Sequence, residues 1–204
     1  MRILKTVALL SLCASGLFAS PYQVTIDTSA LPGGDYQAYF ALVGSTGNVI
    51  TASSFSFGGG AALLPVVVGT GDMNTSVTLD NTPPANPFFV EFAQNFTAGS
   101  TLQFLLNLTN NGPALPDPPD TFSFALATTG NVNLDTNDPS GADYLFTVDL
   151  TGSALNFQSF TTDGTGITAA IQPAVQPIPE PAFGAAVAGL LVVMVGVRRF
   201  RQAS

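Results

Sequence analysis

The chain has no histidine, no tryptophan and a single cysteine among its 204 residues. Without histidine, neither a Ser–His nor a Cys–His nucleophile pair can form. A structural zinc site of the Cys/His type cannot be assembled either. One cysteine also excludes an intramolecular disulfide framework. Among the common hydrolase chemistries, these absences leave mainly those that depend on carboxylates.

Basic residues are few, and their positions matter more than their number. All five lie close to the two ends, so no lysine or arginine occurs between residues 6 and 197. All 13 acidic residues fall inside that interval, which gives it a formal charge of −13. A nucleic-acid backbone must be neutralised by lysine or arginine side chains. Nucleic acid is therefore excluded as a partner of this segment.

The N-terminal segment, residues 1–20, has the composition of a secretory signal peptide. Arg2 and Lys5 precede an apolar run at 7–12, and small residues follow it. This order predicts export and cleavage by signal peptidase near Ala19. The alternative is lipoprotein processing at Cys13, against which the bulky preceding leucine argues.

The C-terminal segment divides into three parts. Residues 173–181 are rich in proline and predict an extended linker. Residues 182–197 carry no charged side chain and predict a single transmembrane helix, roughly 24 Å long at 1.5 Å per residue. Residues 198–204 form a basic tail, which the positive-inside rule keeps in the cytoplasm. The alternative interpretation is a plain membrane anchor that is not processed.

A Pro-Glu-Pro tripeptide, the apolar helix and the arginine-rich end together resemble the PEP-CTERM sorting signal of exported bacterial proteins. The resemblance implies recognition and cleavage by an exosortase near the tripeptide. It further implies an inner-membrane-anchored precursor that is delivered to the cell surface or extracellular matrix, with exopolysaccharide as a candidate partner. The residues that carry the signal are Pro179, Glu180, Pro181, Arg198, Arg199 and Arg201.

The middle of the chain, residues 21–172, predicts one all-β domain. Short stretches of alternating apolar and polar residues are bounded by Gly, Pro, Asn and Asp, as in half-buried strands. Many such strands at short spacing indicate an antiparallel β-sandwich, jelly-roll-like in type. Strands are predicted at 22–28, 36–43, 48–57, 62–68, 76–80, 88–96, 101–109, 121–128, 144–151 and 154–161, with a less regular one at 166–171.

Parts of this domain also resemble a family of uncharacterised all-β PEP-CTERM proteins. The resemblance lies in short patches at residues 22–31, 79–81, 96–104 and 145–150, and the first contains the Asp-Thr-Ser-x-Leu element that opens the family's domain. It implies an all-β domain and carries over no catalytic residue, since the family offers none.

Three groups of side chains are candidates for chemistry or metal binding. Residues 27–30 (Asp-Thr-Ser-Ala) match the loop of an aspartic protease, but the required second copy is absent, which favours a simple turn. A glycosidase needs two nearby carboxylates, and acids such as Glu91 and Asp149 are available, but nothing in the sequence pairs them.

The third group is the densest set of oxygen ligands. It resembles a calcium-binding loop without the register of an EF-hand, and its alternative interpretation is a solvated hairpin loop. The candidate Ca²⁺ ligands are Asp135, Asn137, Asp138 and Asp143.

Taken together, the sequence predicts a non-enzymatic exported surface or matrix protein with no resident cofactor other than the candidate calcium ion. One alternative is a calcium- or carbohydrate-binding module, whose aromatic contacts would come from tyrosine because tryptophan is lacking. A carboxylate-only hydrolase is the other. The tyrosines available for sugar contacts are Tyr22, Tyr36, Tyr39 and Tyr144.

Overall fold

The computed structural model describes residues 21–85, 87–113, 118–163 and 169–178. The predicted signal peptide, transmembrane helix, basic tail and sorting residues 179–181, 198, 199 and 201 lie outside these ranges. Within them, no helix is long and apolar enough to cross a membrane. The described residues cover most of the predicted β domain and the start of the predicted linker.

Twelve strands form in this part of the chain, and all ten regular predicted strands are present with ends within two residues. The strands are β1 (Tyr22–Asp27), β2 (Asp35–Val43), β3 (Val49–Ser56), β4 (Ala61–Val68), β5 (Gly71–Asp72), β6 (Ser76–Asp80), β7 (Phe89–Thr97), β8 (Thr101–Leu108), β9 (Asp120–Thr128), β10 (Phe146–Leu150), β11 (Leu155–Ser159) and β12 (Ala174–Pro177).

The strands form two six-stranded sheets in which every neighbouring pair is antiparallel. The first sheet has the order β12-β1-β8-β3-β6-β5, and the second has the order β11-β10-β9-β2-β7-β4. The prediction of an all-β, antiparallel two-sheet domain is confirmed.

Phenylalanine side chains fill the space between the two sheets. Phe40 on β2 contacts Phe104 on β8 at 5.6 Å between ring centroids, and Phe104 contacts Phe124 on β9 at 5.4 Å. These contacts join one sheet to the other, and all three rings are buried. The alternation of inward phenylalanine with smaller or polar outward residues is thus what gives each sheet one apolar face.

The domain extends beyond the predicted boundary at residue 172. Residues 174–177, predicted as linker, form β12 and pair with β1, with Val175 opposite Val24. Proline is tolerated there because β12 is an edge strand, where a missing N–H breaks no internal ladder. The two-residue strand β5 was not predicted either. Of the irregular prediction at 166–171, residues 169–171 are not in a strand, and 164–168 lie outside the described residues.

The long connection between β9 and β10 folds back over the outer face of the second sheet. It begins with a tight turn that brings the chain back antiparallel to the end of β9, where the amide of Leu134 donates to the carbonyl of Leu126 and Asn133 bridges Ala127. Ala125 and Ala127 belong to the outer face, yet both are buried. The connection covers part of that face and forms one side of a groove there.

Candidate functional site

A groove of about 650 Å³ lies on the outer face of the second sheet. Its floor comes from β2 and β7, one wall from the β9–β10 connection, and the opposite wall from the end of β4. We call it the outer groove. It is lined by Gln37, Tyr39, Val67, Val68, Glu91, Ala93, Asn131, Val132, Asn133, Ala142, Asp143 and Tyr144.

The floor follows from the alternation of side chains along β2 and β7. Phe40 points into the core, so its neighbour Tyr39 points outward. Tyr39 lies opposite Ala93 of β7 in the sheet register. The small alanine leaves depth beside the tyrosine ring, which is how a nearly flat sheet face acquires a concave floor.

A hydrogen bond joins two polar side chains of the floor. The Tyr39 hydroxyl donates to Glu91 Oε2 at 2.8 Å. Burial raises the pKa of the Tyr39 hydroxyl strongly, and the adjacent Glu91 carboxylate raises it further. Tyr39 therefore keeps its proton at neutral pH and holds the Glu91 carboxylate in place.

An amide bridge connects the floor to the wall. The Gln37 side-chain nitrogen donates to Asn131 Oδ1 at 2.9 Å and to Asn95 Oδ1 at 3.2 Å. Gln37 is only 3% exposed. A buried amide needs such partners, because an unsatisfied donor is costly. The bridge therefore helps to fix the position of the β9–β10 connection relative to the sheet.

Two wall residues adopt the left-handed backbone region, Asn131 with φ of 60° and Asp143 with φ of 56°. Asparagine and aspartate tolerate this region better than most residues. The wall is further fixed because Asp143 Oδ1 accepts from the amide of Thr136 at 3.0 Å and Asn133 donates to the carbonyl of Ala142 at 2.8 Å. This wall of the groove is thus held by specific polar contacts.

The polar character of the outer groove is dominated by acceptors. Its lining includes two carboxylates, Glu91 and Asp143, while lysine and arginine are absent from the sequence between residues 6 and 197. Two tyrosines and three valines add aromatic and apolar surface. Such a mixture suits a ligand that donates hydrogen bonds and also presents apolar patches.

The predicted calcium ligands make internal contacts instead of converging on one point. Asp138 accepts from the Ser140 amide and hydroxyl at 2.9 and 2.6 Å, and Asn137 accepts from the Thr161 amide at 2.8 Å. Asp135 is exposed, and Asp143 lines the outer groove. In residues 21–85, 87–113, 118–163 and 169–178, no three acidic, cysteine or histidine side chains form a metal-binding group. Calcium binding remains a prediction.

The other candidate residues are also accounted for. Asp27 Oδ1 accepts from the amide and the hydroxyl of Ser29 at 3.0 and 2.6 Å, so the protease-like segment forms a turn. These bonds lower the pKa of the exposed Asp27 carboxyl. Glu91 is not paired with Asp149, which accepts from Thr121 on the neighbouring strand.

Two of the four candidate sugar-contacting tyrosines, Tyr39 and Tyr144, come together in the groove. Tyr22 instead packs on Phe157 at 4.5 Å, and the Tyr36 hydroxyl donates to the Pro32 carbonyl. Gln37 and its bridge to the wall were not predicted. No local pattern identifies that bridge, since its two residues are 94 positions apart.

The described residues thus define an antiparallel two-sheet β domain with an acceptor-rich aromatic groove on its outer face. No family model matches the chain. Likewise, no curated protein and no solved structure matches it.

Proposed function

We propose that the chain is an exported, non-enzymatic surface or matrix protein whose β domain binds carbohydrate in the outer groove. The observation that carries the proposal is the meeting of Tyr39 and Tyr144 with carboxylates and amides in one concave site. Aromatic rings pack on the apolar faces of sugars, while fixed acceptors bind their hydroxyl groups. The resemblance of the two ends of the sequence to a signal peptide and a PEP-CTERM signal supports export and sorting.

The order of the strands supports the finer jelly-roll-like description of the fold. Successive strands β1 to β4 alternate between the sheets, and β6, β7 and β8 do so again. The first sheet contains β1-β8-β3-β6 and the second β2-β7-β4, as two interlocked Greek keys require. Strand β5 departs from this pattern because it pairs with β6.

Replacing Tyr144 with alanine should weaken glycan binding at least about tenfold, because an aromatic contact in a concave site is removed. The measurement is affinity electrophoresis and calorimetry with soluble oligosaccharides of several linkages. Tyr36→Phe is a control, since its hydroxyl lies outside the groove and contacts the Pro32 carbonyl. Unchanged affinity in a folded Tyr144→Ala protein would exclude the outer groove as the glycan site.

A second prediction concerns the C-terminus. Protein isolated from the organism that makes it should end near Glu180 and should lack the apolar segment 182–197. Intact-mass analysis measures this directly. A variant in which Pro179 and Pro181 are both alanine should retain the segment, whereas Pro177→Ala should be processed normally. A full-length C-terminus in the wild-type protein would refute the sorting proposal.

The two carboxylates of the groove favour a second candidate, a glycoside hydrolase. Glu91 and Asp143 line the same cavity, and carboxylate pairs hydrolyse glycosidic bonds when one acts as acid and the other as base or nucleophile. Release of reducing ends from bound oligosaccharides, abolished in Glu91→Gln, would favour this candidate over simple binding.

A further inference from the structure

The two carboxylates of the outer groove are each held by the protein through one oxygen. Glu91 Oε2 accepts from Tyr39, and Asp143 Oδ1 accepts from the amide of Thr136. Their second oxygens, Oε1 and Oδ2, receive no hydrogen bond from the described residues. The groove therefore fixes two carboxylates in place and leaves each with capacity to accept from a ligand.

No lysine or arginine side chain among the described residues competes for these oxygens. The sequence contains no lysine or arginine between residues 6 and 197, so neither carboxylate has a lysine or arginine partner in the described part of the chain. An ammonium group brings three donors and one positive charge, and hydrogen bonds between charged groups are roughly twice as strong as neutral ones. A ligand carboxylate or sulfate would be repelled by Glu91 and Asp143, and the groove lining contains no cationic side chain to offset this repulsion.

We propose that the outer groove selects glycans bearing a protonated amine, that is, amino sugars, over neutral sugars and over sugar acids. The inference rests on the proposed carbohydrate-binding function and specifies its ligand class. The tyrosines and valines contact the apolar faces of the sugar rings, which all three classes share. Glu91 and Asp143 distinguish amino sugars from the other two classes, because only a protonated amine both donates hydrogen bonds to the carboxylates and neutralises their charge.

The experiment compares four probes of similar length with the full-length protein in EDTA. The probes are β-1,4-linked hexamers of glucosamine, N-acetylglucosamine and glucose, and a β-1,4-linked oligomer of glucuronic acid. Calorimetry should show the glucosamine hexamer binding at least about tenfold more tightly than the glucose hexamer, with binding of the uronic acid oligomer weakest. Added salt should reduce this preference, because it is electrostatic.

Matched double variants distinguish the groove from the overall charge of the domain. Glu91→Gln with Asp143→Asn keeps the acceptors for Tyr39 and Thr136 and should abolish the preference for the amine. Asp35→Asn with Asp163→Asn makes the same change in net charge at two exposed residues outside the groove. This variant should retain the preference for the amine.

Each alternative result has a definite meaning. Equal affinity for the glucosamine and glucose hexamers, or a preference that survives in the groove variant, would overturn the inference and leave carbohydrate binding intact. Tighter binding of the uronic acid oligomer would overturn it as well. Failure of all four probes to bind would overturn both the inference and the proposed function.

Discussion

Replacing Asp120 with alanine is expected to lower the free energy of unfolding by about 3–5 kcal/mol. The side chain is 1% exposed and begins β9. Its two oxygens accept hydrogen bonds from several donors, all of which lose this acceptor in the variant. Those donors are the amides of Ser45 and Thr46 and the side-chain nitrogens of Asn48 and Asn81, at 2.9 to 3.3 Å.

The Asp120 carboxylate is unusual because neutral donors alone stabilise its buried charge. With no lysine or arginine between residues 6 and 197, no such side chain in the described residues pairs with it. The chain also comes very close to it at Gly44, where a Cβ atom would lie 2.0 Å from Asp120 Oδ1. The turn after β2 is therefore built around this carboxylate, and its loss affects both sheets.

The same contacts give a pH dependence of defined sign. Burial opposes ionisation of Asp120, but the hydrogen bonds from Asn81, Asn48 and Thr46 outweigh it and lower the pKa below the usual 3.8. A carboxyl whose pKa is lower in the folded state stabilises the fold above its unfolded pKa. That contribution disappears as the pH falls through the folded-state pKa. The difference in free energy of unfolding between the wild type and Asp120→Ala should therefore become smaller below pH 3.8.

Urea denaturation between about pH 3 and pH 7 measures both effects. The control is Asp149→Ala on the neighbouring strand, which removes a single bond from Thr121 and should cost about 1 kcal/mol or less. Several other aspartates also have a lowered pKa, so only the comparison with the variant isolates Asp120. An Asp120→Ala protein as stable as Asp149→Ala at neutral pH would contradict the prediction.

Much of this fold follows from local sequence patterns. Alternation along Thr101–Leu108 or Asp120–Thr128 fixes which residues face the core, and that alternation is readable without knowing the partner strands. Strand β12 escaped prediction because its pairing with β1 overrides the proline content of residues 173–177. Propensity describes a segment alone, whereas pairing depends on a strand about 150 positions away.

Some residues of the outer groove were predictable from the sequence, but their arrangement was not. Tyr39 and Tyr144 were candidates for sugar contacts, but their proximity depends on the register of β2 and on the fold-back of the β9–β10 connection. Asp143 was predicted as a calcium ligand, and the structure places it in the groove wall. The wall also contacts the sheet through the Gln37–Asn131 hydrogen bond, which no spacing rule anticipates.

The second large effect is expected from Phe40→Ala, which should lower the free energy of unfolding by about 3–5 kcal/mol. Phe40 is 1% exposed and lies at the centre of the aromatic core. Its ring contacts five others at 4.9 to 6.4 Å between centroids, from both sheets. These partners are Phe55, Phe92, Phe104, Phe122 and Phe124.

Phe88→Ala is the matched control, because Phe88 is 67% exposed and should change stability by about 0.5 kcal/mol or less. Phe40 lies in the middle of β2, directly after Tyr39 of the groove floor. A cavity behind β2 should therefore loosen the groove as well as the core, so that Phe40→Ala weakens glycan binding while Phe88→Ala does not. Equal stability of the two variants would mean that the sheets are not held together through this ring cluster.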